Sequence, residues 1–205
     1  MQKWQRRKDE RPAEIMNAAL LLFVSKGFVA TKIDDIAKKA GVSKGTVYLY
    51  FASKEVLFKE MVYQLMVPKI HEVEEYIATY EGSQSELLCV VIRQWWKVVK
   101  SSGLTGVPKL IISEADNFPE LTRFYVKEVI HRVQTVFVNI LNKGIEIKEF
   151  RKVEPLLSAR VIMSSMVYFS MWDCSLKKYD QKGLETDELI EQHITILVNG
   201  IAANA

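Results

Sequence analysis

The sequence predicts an all-α fold, and three observations carry that reading. Apolar residues recur at three- and four-residue spacing from Ile15 to Ile201. No segment alternates apolar and polar residues as a half-buried strand does, and no internal repeat is present. Glycine, proline and short polar clusters separate the periodic runs. The 205 residues, 49% hydrophobic and 26% charged, are enough for one large or two small domains with a real core.

The first eleven residues, with Lys3, Arg6, Arg7 and Lys8, read as a flexible basic arm or as a loose extension of the first helix. Pro12 suits the first position of a helix, Ile15, Ala19, Leu22 and Phe23 form its apolar stripe, and Gly27 stops it. That stripe is expected to pack on Ile36 and Val47.

The run from Ile36 to Phe51 reads as two short helices joined by a tight turn. Gly41 stands where a left-handed residue must end the first of them, a conformation that costs glycine little and other residues much. Ser43 can accept a hydrogen bond from the free amides of the next turn, and Val42 is placed to pack on Val47. The second helix starts at Lys44. Its buried side is Val47 and Phe51, four residues apart, which leaves Lys44, Gly45, Thr46, Tyr48 and Tyr50 on or near the outer face. This is a helix-turn-helix with an outer face suited to a major groove. Lysine and tyrosine suit phosphate oxygens, threonine suits a base edge or a thymine methyl, and Gly45 lets backbone approach the duplex.

The order Gly27-Phe28, Ala30-Thr31, Asp35-Ile36-Ala37, Ala40 to Thr46, Tyr48, Tyr50-Phe51, Ser53-Lys54-Glu55 and Leu57 resembles the amino-terminal domain of the tetracycline-repressor (TetR) family of bacterial transcription regulators. The motif spans about a quarter of the chain and is specific because many spaced positions match in order. The family often has a small hydroxyl residue at the start of its second helix and a basic residue two places later, where this chain has Lys32 and Asp34. Thr31 with Asp34 is expected to form a capping box. Ser53 is the expected cap of a fourth helix, and the resemblance implies a phosphate contact for Lys54. The expected DNA-binding set is therefore Lys32, Ser43, Lys44, Gly45, Thr46, Tyr48, Tyr50 and Lys54.

From Val56 to Tyr80 the pattern stays helical, with Pro68 dividing it at the expected link between domains. Ser83 or Ser85 caps a helix from about Glu86 to Lys100, with Leu88, Val91, Ile92, Trp95, Val98 and Val99 inward and Trp96 widening the face. A short helix from Lys109 to Ala115 precedes Asn117-Phe118-Pro119 and a long helix to about Asn142, which Gly144 ends. Two last helices, about Pro155 to Cys174 and Glu185 to Ile201, are apolar over much of their circumference. A helix apolar on more than one side needs more than one neighbour. A second subunit supplies the further face, and the resemblance implies a four-helix bundle between two such pairs.

Charge supports the same division. Residues 1–54 carry 11 Lys or Arg against 5 Asp or Glu, a net of +6, so the rest carries −3 of the chain's +3 total. Positive charge is concentrated where a duplex would lie. The expected organisation is a helix-turn-helix DNA-binding domain over residues 1–54 and a helical domain for ligand binding and dimerisation over 55–205.

The second domain offers Trp95, Trp96, Phe118, Phe137, Met163, Met166, Phe169 and Trp172 as linings for an effector cavity, suited to a hydrophobic or flat cationic ligand. Asp173 or Glu114 can hold a ligand cation. Catalysis finds little support. His71, His131 and His193 stand apart, no glycine-rich phosphate loop appears, and the adjacent pairs Asp34-Asp35 and Glu74-Glu75 diverge by ~100° on a helix. No metal or cofactor is expected. Cys89 and Cys174 lack metal spacing and suit the reduced state of a cytoplasm, and no apolar run nears the ~18 residues of a membrane span.

The chain thus reads as a ligand-responsive regulator, more a repressor than an activator, binding a palindromic DNA operator as a homodimer through its last two helices. The competing reading is a ligand-insensitive helical DNA-binding adaptor or nucleoid-type protein.

Overall fold

A computed structural model describes the backbone of residues 2–203 and the side chains from residue 10 onward. Its α-helices are α1 (Gln2–Lys26), α2 (Ile33–Ala40), α3 (Lys44–Tyr50), α4 (Lys54–Leu65), α5 (Val67–Ala78), α6 (Gln84–Ser101), α7 (Val107–Glu114), α8 (Pro119–Tyr125), α9 (His131–Glu146), α10 (Pro155–Met171) and α11 (Thr186–Ile201). A π-helical stretch, Val126–Ile130, joins α8 to α9, and another, Trp172–Leu176, follows α10. Packing divides the chain into two units: the residues up to Val67 with Lys109–Tyr125, and Pro68–Pro108 with the chain from Val126 on. The boundary expected after Lys54 is not where the packing divides: α4 packs on α1, and the first unit runs on to Val67.

In the first unit the stripe of Ile15, Ala19, Leu22 and Phe23 is buried, as are Ile36 and Val47. The rings of Phe23, Phe28 and Phe58 meet with centroids 5.0 to 6.3 Å apart, and Phe118 stands edge-on to Phe28 at 4.8 Å. Such pairs add about 0.5–1.5 kcal/mol each beyond the area they bury. Pro12 does not open α1. The helix already runs from Gln2, through glutamine, lysine, arginine and glutamate residues that favour helix, and Pro12 lies inside it. The side chains of Lys3, Arg6, Arg7 and Lys8 lie outside the described residues.

The capping box expected of Thr31 and Asp34 does not form. Thr31 is buried and its hydroxyl donates to the carbonyls of Gly27 at 2.7 Å and Leu22 at 3.2 Å, closing the turn after α1. The N-cap of α2 falls one residue later, on Lys32, whose amide donates to Asp35 at 3.4 Å.

In the second unit α6, α9, α10 and α11 surround one apolar cluster that includes Leu88, Ile92, Phe137, Ile140, Ile162 and Ile194. Ser83 is the cap of α6, accepting from Glu86 N at 3.2 Å. The carboxylate of Glu149 reinforces that end, accepting from Ser83 Oγ at 2.6 Å, Gln84 N at 2.7 Å and Ser85 N at 2.8 Å. These donors would otherwise be orphans of the first turn. Burial pushes the Glu149 carboxyl up, but the bonds from Ser83, Ser85 and Gln84 outweigh it and hold it below the ordinary value. Trp96, expected at the edge of the α6 face, is its buried member, with its indole N–H donating to Asp187; Trp95 is only half-buried.

Gly144 does not end α9, which continues to Glu146. Its lack of a side chain serves packing: a Cβ there would lie 2.1 Å from Cδ2 of the buried Phe150 ring. The helix after Pro155 stops at Met171 rather than Cys174, where the hydrogen bonding changes to the π-helical stretch.

Candidate nucleic-acid interface

The turn between α2 and α3 is built as its residue types require. Gly41 takes a left-handed φ of 66°, and Val42 N reaches back to the Ala37 carbonyl at 3.0 Å. Ser43 Oγ accepts from Thr46 N at 3.1 Å and lies 2.9 Å from the Thr46 hydroxyl. Helix α3 therefore starts on a satisfied cap, and Ser43 and Thr46 share one short polar network at its entrance.

Val47 and Phe51 anchor α3 from beneath, both buried. Lys44, Gly45 and Tyr48 are exposed, and Thr46 and Tyr50 are half-buried. Leu49, which periodicity alone did not single out, is 73% exposed, against 48% for Tyr48. A large aliphatic side chain left in water on this face suits the methyl of a thymine. The signal was present in the sequence: Leu49 lies outside the four-residue spacing of Val47 and Phe51.

Lys32, Asp34, Lys44, Tyr48 and Lys54 line one open groove beside α3, while Gly45, Thr46 and Tyr50 lie outside it. Asp34 takes the Lys44 ammonium at 2.8 Å, and that hydrogen bond, then the charge, raises the lysine pKa. Asp35 is held below its ordinary range by the Lys32 backbone amide, against burial, with help from Lys26.

Lys54, for which a phosphate contact is expected, is engaged within the protein. Its ammonium donates to the carbonyls of Phe28 at 2.6 Å, Thr31 at 3.1 Å and Val29 at 3.4 Å, and sits 4.5 Å from the Phe28 ring centroid. An ammonium has three donors, and all three meet the α1–α2 turn. Burial lowers its pKa, with Glu55 and Glu114 opposing. Glu114 also accepts from Val29 N at 3.4 Å, so this turn is tied from two sides.

The proposed effector linings do not form one set. Phe118 belongs to the first unit, against Phe28. Phe137, Met166, Phe169 and Trp96 are members of the second unit's core, and Trp95 and Met163 pack at its margin. Asp173 accepts from Thr186 Oγ1 at 3.0 Å, and Glu114 is taken by Val29 and Asn117. Among the described residues no group of His, Cys, Asp and Glu is placed to hold a metal, and no helix is long and apolar enough to cross a membrane.

A capped two-helix turn that presents lysine, threonine, tyrosine and leucine outward from an all-helical frame defines a DNA-binding transcription regulator. The family model "Bacterial regulatory proteins, tetR family" matches residues 15–61. The chain is 30% identical over 152 residues to the uncharacterized HTH-type transcriptional regulator YfiR of Bacillus subtilis (strain 168), covering 73% of this chain and 72% of that protein. It is 26% identical over 198 residues to the fatty acid metabolism regulator protein of the same organism, covering 95% of this chain and 98% of that one. Among solved structures it is similar to the transcriptional regulator FadR from Bacillus subtilis in complex with stearoyl-CoA, with a TM-score of 0.72, 23% identity, and coverage of 92% of this chain and 98% of that one. The chain belongs to the TetR family of bacterial transcription regulators. It is a helix-turn-helix DNA-binding regulator and not an enzyme.

Proposed function

We propose that this regulator is a homodimeric repressor whose two α3 helices read a palindromic operator and whose second unit takes a hydrophobic acyl thioester that releases it. The observation that carries the reading is the outer face of α3, where Lys44, Gly45, Thr46, Tyr48 and Tyr50, joined by Leu49, stand on a buried anchor of Val47 and Phe51. Ser43 sets the start of that face, and Lys32 supplies a phosphate contact at its margin. Lys54 acts from behind, by fixing the turn between α1 and α2. In this division of labour residues 1–54 read DNA and residues 55–205 respond to effector and partner.

Two readers of a dimer would face the same side of the duplex about one turn, ~34–36 Å, apart. Dimerisation is supported by the outward stripe of α10, where Leu157, Val161 and Tyr168 are exposed at helical spacing, and by Ile196 of α11. The hydrophobic choice of effector is supported by the similarity to a fatty acid metabolism regulator. Effector binding would favour another spacing of the readers, with a coupling of roughly 1–3 kcal/mol. A protein with this task works in the cytoplasm, beside the chromosome.

The test is selection of bound genomic fragments by the purified protein, followed by titration of the best fragment with stearoyl-CoA. Enrichment of a palindrome and its release by the thioester are the expected results. A specificity ratio near one for the best fragment would instead describe a DNA-binding adaptor without sequence choice.

A further inference from the structure

The outermost ridge of α3 carries two residues that the fold itself does not call for. At ~100° per residue, Leu49 stands ~160° around the helix axis from Val47 and from Phe51, so it is the point farthest from the buried anchor. Its 73% exposure agrees. Gly45 lies one turn earlier on the same ridge, ~40° away, and is exposed as well. An exposed leucine alone is ordinary on a protein surface. The glycine beside it is not.

Inside a helix glycine is disfavoured against alanine, and the two internal reasons that would offset this do not apply at Gly45. It does not take a positive φ, unlike Gly41. A Cβ built on it would meet only Ser43 Oγ, at 3.8 Å, an ordinary contact distance. The missing side chain therefore makes room on the outside of the protein. The polar neighbours on either flank have partners within the chain: Lys44 meets Asp34 at 2.8 Å, and Thr46 Oγ1 lies 2.9 Å from Ser43 Oγ. Leu49 between those flanks can neither donate nor accept a hydrogen bond.

We infer that Gly45 and Leu49 together form the seat for the C5 methyl of one thymine in each operator half-site, the glycine leaving the space and the leucine supplying the apolar wall. This rests on the reading that α3 lies in the major groove of an operator, and it names the base group that is recognised there. Phosphate oxygens and the polar base edges offer an aliphatic side chain nothing. The thymine methyl is the one apolar group that a base pair presents in the major groove. The occupant is a duplex rather than another protein because the ridge belongs to residues 1–54, which carry a net +6. A lysine stands beside the seat, so a phosphate and a methyl can be met from adjacent positions of one short helix.

The inference is tested with full-length protein and the duplex recovered by selection of genomic fragments, its thymines replaced one position at a time by deoxyuridine, which lacks only the C5 methyl. Fluorescence anisotropy is expected to reveal one position where the wild type loses about fourfold in affinity per half-site, the worth of one buried methyl. Leu49→Ala should bind the thymine and uracil duplexes equally and keep the wild-type melting temperature, since the side chain is solvated. Gly45→Ala should melt at or above the wild type, because alanine favours helix and its Cβ meets no clash within the chain. It should nonetheless lose roughly tenfold in operator affinity and bind the thymine duplex no better than the uracil one, its Cβ having filled the seat. A wild type indifferent to deoxyuridine at every position, a Leu49→Ala variant that keeps the preference, or a Gly45→Ala variant that binds as the wild type does would each overturn the inference while leaving α3 as the reader. Failure of the selection to yield any preferred sequence would overturn the operator reading itself, and this inference with it.

Discussion

The ammonium of Lys44 lies 2.8 Å from the carboxylate of Asp34, so the first lysine of the DNA-reading helix is already paired before any duplex arrives. Both side chains are more than half exposed, which leaves the pair free to open. A phosphate must compete with that carboxylate for the lysine. Asp34→Asn is expected to strengthen non-specific DNA binding roughly threefold to tenfold at about 50 mM salt, with the gain shrinking as salt rises. Operator preference should fall correspondingly. Fluorescence anisotropy with operator and scrambled duplexes over a salt series measures both, and identical isotherms would show that Asp34 does not compete.

Lys54 holds the turn between α1 and α2 through three carbonyls. Lys54→Met keeps the aliphatic stem beside Phe28 and removes the donors. It should cost about 1–3 kcal/mol of stability, because the part-buried carbonyls of Phe28 and Thr31 lose a charged partner. The salt slope of operator binding should stay unchanged, since the ammonium is occupied. A slope lower by about one would place Lys54 at a phosphate after all.

Val161 on α10 is 67% exposed and Ile196 on α11 is 63% exposed. If these faces meet a second subunit, Val161→Asp buries a charge at the join and should shift the protein to a monomer in sedimentation velocity. Helix content should persist, because the position is solvated in the single chain. Operator affinity should fall with the dimer, and a dimer that survives the substitution would move the interface elsewhere.

Glu149 links the start of α6 to the loop after α9, and its carboxyl titrates lower in the folded chain than its ordinary 4.5. The charged form is the one the folded state prefers, so this contribution is complete above pH ~5 and is lost as pH falls through the lowered folded value. Glu149→Gln should therefore cost about 1–2 kcal/mol near neutrality, where one acceptor becomes a donor facing donors. The gap to the wild type should close at acid pH. Urea unfolding at pH 7 and pH 3.5 tests the sign, and a gap that is constant with pH would remove Glu149 as its source.

Gly144 lies inside α9, where alanine has the better helix propensity by about 1 kcal/mol. Packing opposes that gain. The added Cβ would meet the Phe150 ring at 2.1 Å, and Phe150 is buried. Displacing a packed ring costs typically 1–3 kcal/mol, so steric cost should win and Gly144→Ala should lower the urea midpoint. A raised midpoint would mean the ring swings aside freely.

The helix-turn-helix was legible because each of its signals is local. Gly41 supplies the left-handed turn, Ser43 the cap and Val47 with Phe51 the buried side, and none of these depends on distant residues. The apolar cluster of the second unit was legible in the same way, from spacing along each helix. Errors gathered where a residue had two local options. Thr31 can cap a helix or close the turn before it, and it takes the second because the Gly27 and Leu22 carbonyls are there to receive its hydroxyl. Gly144 can stop a helix or admit a ring, and the position of Phe150 decides.

Sequence by itself determined the helical class, the reader helix and its exposed Lys44 and Tyr48, because periodicity and capping act within a few residues. Tertiary structure alone decided that Asp34 takes Lys44, that Lys54 turns inward to three carbonyls, and that Gln134 Nε2, Ser170 Oγ and His193 Nε2 find no hydrogen-bond partner among the described residues. Each of those outcomes depends on groups from separate segments, some far apart along the chain, meeting or failing to meet at ~3 Å, a distance that no pattern along a single helix encodes.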